Sequence, residues 1–173
     1  MSYIGMSNYT RSKGKQISPH FTIDEFRCKH CGEVLLNKEL PNKLEELRTY
    51  LGDKPINIIS AYRCLSSNYS VGSSNSSLHT SGNAVDFVLD GESNAIEVLL
   101  KVKNIFNRAG LCQSKYGENS FYIHVEIGTP MCYWLSYYDK YKKKKVYVYF
   151  KNIDHLLAAI RKDTQIDWFN AVI

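Results

Sequence analysis

No run of apolar residues in this chain approaches the about 18 that a membrane-spanning helix needs, so no span is expected. The opening stretch MSYIGMSNYTRSKGKQ lacks an apolar h-region, so a secretory signal is not expected either. The five cysteines, Cys28, Cys31, Cys64, Cys112 and Cys132, are an odd number, which argues against a full disulfide framework. Cys28 and Cys31 form a C-x-x-C in CKHCG, but no second C-x-x-C completes a four-sulfur zinc site. The pair reads as a turn with two small buried thiols, or as half of a zinc site completed by Cys64 with His30 or His20. A redox role is disfavoured because no thioredoxin-like strand precedes the pair. There are no internal repeats. Acidic residues are fewer than basic ones, 17 against 22, and the net charge of +5 favours anionic partners such as nucleic acid, acidic lipid or an anionic polymer.

With 173 residues the chain has room for one ordinary core, and 44% apolar with 23% charged residues is the composition of a globular protein. Residues 1–18 are polar and read as a flexible arm. FTIDEF at 21–26 reads as a short helix capped by Thr22, with Glu25 closing a capping box. PNKLEELRTYLGDKP reads as a helix, with Pro41 in its first turn, Leu44, Leu47 and Leu51 on one face and Gly52 at its end. INIISAY at 56–62 is a β-branched strand, followed by a long Ser/Asn/Gly loop through residue 77. AVDFVLDG reads as a second strand and FYIHVEIG as a third. Between them SNAIEVLLKVKNIFNRAG reads as a helix capped by Ser93 and stopped at Gly110. VYVYF at 146–150 is a fourth strand, and IDHLLAAIRK a last helix with Ile153, Leu156, Leu157 and Ile160 on one face. The order predicts an α+β fold, a small, mainly antiparallel sheet with helices packed on one side.

Strand parity separates core from chemistry. On 84–89, Val85, Phe87 and Leu89 share a face and Asp86 points the other way. On 121–127, Phe121, Ile123, Val125 and Ile127 share a face, with Tyr122, His124 and Glu126 opposite. A carboxylate between Val85 and Phe87 is costly to bury without a partner or a metal. If the two strands are neighbours, Asp86 and His124 converge, and His79 in the preceding turn leans over them. Two imidazoles and a carboxylate are a three-ligand set for catalytic zinc, with the fourth position left to water.

The segments SAYRC, SSNYSVGSSNSSLHTSGNAVDF and YIHVEIG resemble the M15 family of zinc D-Ala-D-Ala peptidases, most closely its compact phage and bacterial branch. The matching positions are Tyr62 and Arg63, Asn68, Val71 and Gly72, Ser77, His79, Gly82, Ala84, Asp86, His124 and Glu126. The resemblance covers about residues 19–134, which makes 19–134 the peptidase domain and 135–173 a basic, Tyr-rich extension packed on it. It implies a fold like that of the hedgehog and D-Ala-D-Ala peptidases, with a zinc cleft on the sheet face away from the helices. It implies Zn2+ held by His79, Asp86 and His124, and a substrate drawn from peptidoglycan peptides. Arg63 is expected to stabilise charge on the intermediate, and Ser77, Tyr62 and Asn68 to contact substrate; Ser77 also reads as a turn cap. Gly82 supplies a backbone shape that side chains forbid. Several relatives carry an acid three residues before the last ligand, where this chain has Phe121. Glu126, about 7 Å along the strand from His124, is the expected proton acceptor or a partner of His124. Glu118 is the other candidate base.

Such an activity without a signal peptide implies cytoplasmic synthesis and delivery to the cell wall by lysis, a holin or a virion. A monomer is expected. The tail YYDKYKKKKVYVYF interleaves lysines with tyrosines, which suits glycan, an anionic wall polymer or single-stranded nucleic acid, but also a solvated strand pair. Trp134 and Tyr133 flank the cleft or pack in the core. Two other classes compete with the peptidase. One is a non-catalytic zinc-binding module of the same fold; the other is a nucleic-acid-binding protein led by the Lys/Tyr tail.

Overall fold

The computed structural model describes residues 3–6, 14–89, 94–114, 121–139 and 141–162. The chain divides into two compact units, Met1–Phe87 and Val88–Ile173.

In the first unit the arm expected to be loose carries a strand, β1 (Tyr3–Met6), paired antiparallel with β2 (Val34–Asn37). The Tyr3 hydroxyl meets the Asn83 side chain at 3.3 Å, which gives the arm a side-chain anchor as well. FTIDEF forms a one-turn 3₁₀ helix, Ile23–Phe26, in which the Thr22 amide donates to Glu25 Oε1 at 2.7 Å. Its apolar residues Ile23 and Phe26 are buried, and Phe26 meets Phe21 edge-on at 6.1 Å. Helix α1 (Glu39–Tyr50) buries Leu40, Leu44 and Leu47, the three-and-four spacing of one helical face, and Gly52 with φ +74° ends it.

Strand β3 (Ile56–Ser60) leads into a segment that read as polar loop but begins with a helix, α2 (Leu65–Ser70). A polar sequence can coil here because Asn68 is buried and its amide donates to the Ser74 carbonyl at 2.8 Å, folding the following loop back onto the helix. A second 3₁₀ turn, Leu78–Ser81, ends at Gly82 in the left-handed region with φ +70°. A Cβ at Gly82 would sit 2.2 Å from the Leu35 carbonyl oxygen, so only glycine lets this turn reach β2, where Asn37 N–H donates to the Gly82 carbonyl at 2.9 Å. Strand β4 (Ala84–Leu89) follows, and the division between the units falls inside it.

In the second unit, α3 (Ala95–Val102) is shorter than its sequence pattern suggests. Ser93, the expected cap, lies outside the described residues; Asn94 Oδ1 accepts from the Glu97 amide at 3.0 Å and caps the helix. Residues 108–110 belong not to the helix but to a strand, β5 (Arg108–Gln113), so Gly110 is no helix stop. Strands β6 (Phe121–Glu126), β7 (Cys132–Asp139) and β8 (Lys144–Phe150) follow, then α4 (Ile153–Lys162). β5 pairs antiparallel with β6 and parallel with β7, and β7 pairs antiparallel with β8. Helix α3 packs on β5 and β6, and α4 on β7 and β8, burying Ile153, Leu156, Leu157 and Ile160 as its stripe predicts. Within the second unit main-chain pairing runs in the order β6-β5-β7-β8, a mixed sheet, and strands and helices together make the α+β fold expected. No described helix is long and apolar enough to cross a membrane.

Candidate metal centre

The chain leaves β3 through Ala61, Tyr62 and Arg63, and two main-chain bonds and one histidine ring hold it there. Tyr62 N–H donates to Phe26 O at 3.2 Å, Arg63 N–H donates to His79 O at 3.2 Å, and the His79 ring Nδ1 lies 2.6 Å from Ala61 O. A carbonyl only accepts, so Nδ1 carries the proton and Nε2 presents its lone pair. His79 Nε2 lies 3.3 Å from Asp86 Oδ2. Two acceptors at that distance need a proton or a cation between them. An N/O edge of a tetrahedral zinc sphere is about 3.4 Å from the usual metal–ligand lengths, which this pair matches. A carbonyl fixing the far nitrogen is the usual support of a metal-bound histidine. His79 and Asp86 are 1% and 6% exposed, too buried for an unpaired carboxylate. Arg63 Nη1 lies 3.5 Å from Asp86 Oδ2, while its Nε is buried with no hydrogen-bond partner.

His124 and Glu126 share a face of β6, as parity requires, and both are 8% exposed. Glu126 Oε1 lies 3.0 Å from His124 Nε2, and Oε2 accepts from Arg108 Nε at 2.8 Å. Arg108 is the β5 residue directly across from Glu126, and its Nη1 donates to Pro130 O at 2.8 Å. Burial works to push the Glu126 carboxyl up, but His124 and Arg108 together hold it below the usual glutamate range. The His124 ring also meets the Trp134 indole, centroids 5.0 Å apart and planes at 55°. Gly110 stands between them in register on β5, and a Cβ there would fall 2.2 Å from the indole nitrogen. The missing side chain lets Trp134 cross β5 to the histidine.

Among the described residues, His79, Asp86 and His124 each offer one ligand atom, all within 4.8 Å of one another. Ser77 heads the 3₁₀ turn, its carbonyl accepting from Thr80 N–H and Thr80 Oγ1. Tyr62 is half-buried; burial pushes its hydroxyl up, with Cys31, Glu33, Cys64 and Cys28 adding to the rise. Asn68 braces the loop before Ser77. Phe121 is half-buried rather than a full core residue, and Tyr133 packs inside, its hydroxyl donating to Phe106 O. Glu118 lies outside the described residues. Arg108 and Gly110 escaped the sequence reading because they sit in the segment taken for helix. The alternation of Ala109 and Leu111 with Arg108, Gly110 and Cys112 is the strand signal that marks them.

A buried donor set of two imidazoles and a carboxylate, with a guanidinium beside it, is the equipment of a metal-dependent hydrolase. The profile of the family described as Peptidase M15 matches residues 19–126, and the chain belongs to that family, whose members are zinc peptidases. No curated protein matches the chain.

Proposed function

We propose that this peptidase is zinc-dependent and hydrolyses amide bonds of peptidoglycan peptides, as a D-Ala-D-Ala carboxypeptidase or an endolysin-type endopeptidase. The observation that carries the reading is the set of His79, Asp86 and His124 donor atoms within 4.8 Å, in a chain of the M15 family. The residues present fit zinc. His79 would offer Nε2 because Ala61 O holds Nδ1, and with Glu126 on Nε2 of His124 the other nitrogen of that ring, Nδ1, would be left to hold the metal.

The chemistry zinc supplies in such a centre is polarisation of the scissile carbonyl and activation of a water molecule. Arg63, with an unpartnered Nε and its Nη1 near Asp86, binds the negative charge that develops on the carbonyl oxygen. Tyr62 and Ser77, on either side of the Arg63–His79 main-chain bond, are the proposed substrate contacts, with Asn68 holding the loop that carries Ser77. Glu126 positions His124 through Nε2, and would accept a proton from the water that zinc activates only by leaving that ring nitrogen. Glu126→Gln is therefore expected to keep the metal and lose most turnover, an effect of about 10²–10⁴-fold for a general base. Full turnover in this variant would move proton transfer to another group, Glu118 first.

A second reading, a zinc module without catalysis, is favoured by Phe121 at the position where relatives carry an acid and by the engagement of both Glu126 oxygens. Purified protein incubated with muropeptides, with and without chelator, separates the two. The peptidase reading predicts new muropeptide masses that chelation abolishes and added zinc restores, and the mass lost identifies the bond. Unchanged profiles from a zinc-loaded protein would leave only the module.

A further inference from the structure

We propose that Cys28, Cys31, Cys64 and His30 form a second zinc site, structural rather than catalytic, that clips the residues after β3 to the turn before β2.

The sulfurs of Cys28, Cys31 and Cys64 lie within 4.8 Å of one another, brought together from two distant segments of the first unit. A candidate fourth donor lies beside Cys64, for His30 Nδ1 is 3.5 Å from Cys64 Sγ. A tetrahedral zinc sphere with Zn–S of about 2.3 Å and Zn–N of about 2.0–2.1 Å has an S/N edge of about 3.6 Å, so the spacing already matches. His20, the other histidine the sequence offered, is taken by Glu45 at 2.7 Å.

The main chain around Cys28 is shaped as a ligand knuckle. Gly32, with φ +74°, turns the chain so that its N–H donates to Cys28 O at 2.9 Å, and Cys28 N–H donates to Glu33 O at 2.8 Å. The Cys64 amide donates to Cys28 Sγ at 3.4 Å. Amides directed at sulfur stabilise a thiolate, the form a metal takes. All three cysteines are free thiols, so no disulfide competes in this arrangement. With the His30 ring turned in as the fourth ligand, the protein would close the sphere and leave no position for substrate, as in a structural site.

Cys64 directly follows Tyr62 and Arg63, and Arg63 reaches Asp86. A metal bound at Cys64 anchors the chain one residue from that arginine, where main-chain bonds to Phe26 and His79 already act.

The test is metal content and cobalt spectroscopy on the full chain, purified under reducing conditions, as wild type, His124→Ala, Cys31→Ser and Cys64→Ser. The wild type is expected to hold two equivalents of zinc and, after cobalt exchange, to show intense thiolate-to-cobalt charge-transfer absorption. His124→Ala should keep one equivalent and that absorption. Cys31→Ser, altered at an exposed residue, should lose one equivalent and most of the absorption, and Cys64→Ser likewise. A wild-type cobalt protein without the sulfur band overturns the proposal, even if the serine variants fail to fold. So does a wild type in which two of these sulfurs are joined in a disulfide at one zinc equivalent. Neither result touches the His79–Asp86–His124 centre, which contains no sulfur; failure of that centre would instead show in His124→Ala, as an unchanged zinc count.

Discussion

At the scale of single residues, the candidate centre was legible where one segment carries its own logic. Asp86 between Val85 and Phe87 breaks an apolar strand, and His124 and Glu126 fall on the polar face of another; both inferences need only the two-residue period of a strand. The supporting residues were not legible in that way. Arg108 pairs with Glu126, and Gly110 makes room for Trp134 against His124, only because β5 lies beside β6 and β7. Pairing between strands is a property of the fold and leaves little trace in local spacing. Gly110→Ala tests the packing: a Cβ at 2.2 Å from the indole should cost about 1–3 kcal/mol in chemical denaturation, and the Trp134 fluorescence should change with it. Gly82→Ala should be at least as severe, since the obstacle there is the Leu35 backbone rather than a side chain that can rotate.

At the scale of elements, local signals located helices and strands well when the signal was a cap or a stripe. The Thr22–Glu25 box, the α1 leucines and the α4 stripe all form as the pattern suggests. They failed at the boundaries of α3 and at α2. The residues after Val102 continue an apolar pattern that also suits packing beneath a sheet, with Phe106 buried, so periodicity alone overran the helix end. α2 reads as loop because its residues are serine and asparagine, and the burial of Asn68 overrides their weak propensity. Glu45, midway along α1, ties residues 18–20 to the helix: its Oε1 accepts from Ser18 Oγ and His20 N–H, and its Oε2 lies 2.7 Å from His20 Nδ1. Burial opposes ionisation of Glu45, but these donors hold its carboxyl below the usual value. A carboxyl depressed in the folded state adds stability above its unfolded pKa, about 4.3, and loses it as pH falls through the folded value. Glu45→Gln should thus be destabilised by about 1 kcal/mol at neutral pH, and thermal melts should show the gap to wild type closing below about pH 4.

At the scale of the whole molecule, the family match ends at residue 126, yet the chain beyond it is part of the second unit. β7 runs beside β5, Leu135 is 1% exposed, and α4 covers β7 and β8. The sequence suggested a basic extension packed on the peptidase domain; its described residues carry the rest of β7, then β8 and α4, with Lys145 lying over the Tyr122 and Tyr147 rings on the strand surface. Truncation after residue 134 removes most of β7 together with β8 and α4, and should abolish cooperative unfolding of the second unit in calorimetry. A truncated chain that melts as sharply as the full one would show the extension to be an appendage. The most direct measurement is zinc content by mass spectrometry of a Cys31→Ser/Cys64→Ser chain, in which only the His79–Asp86–His124 centre remains, with and without His124→Ala. The prediction is one equivalent with His124 present and none without it; one equivalent surviving the loss of His124 would contradict the centre.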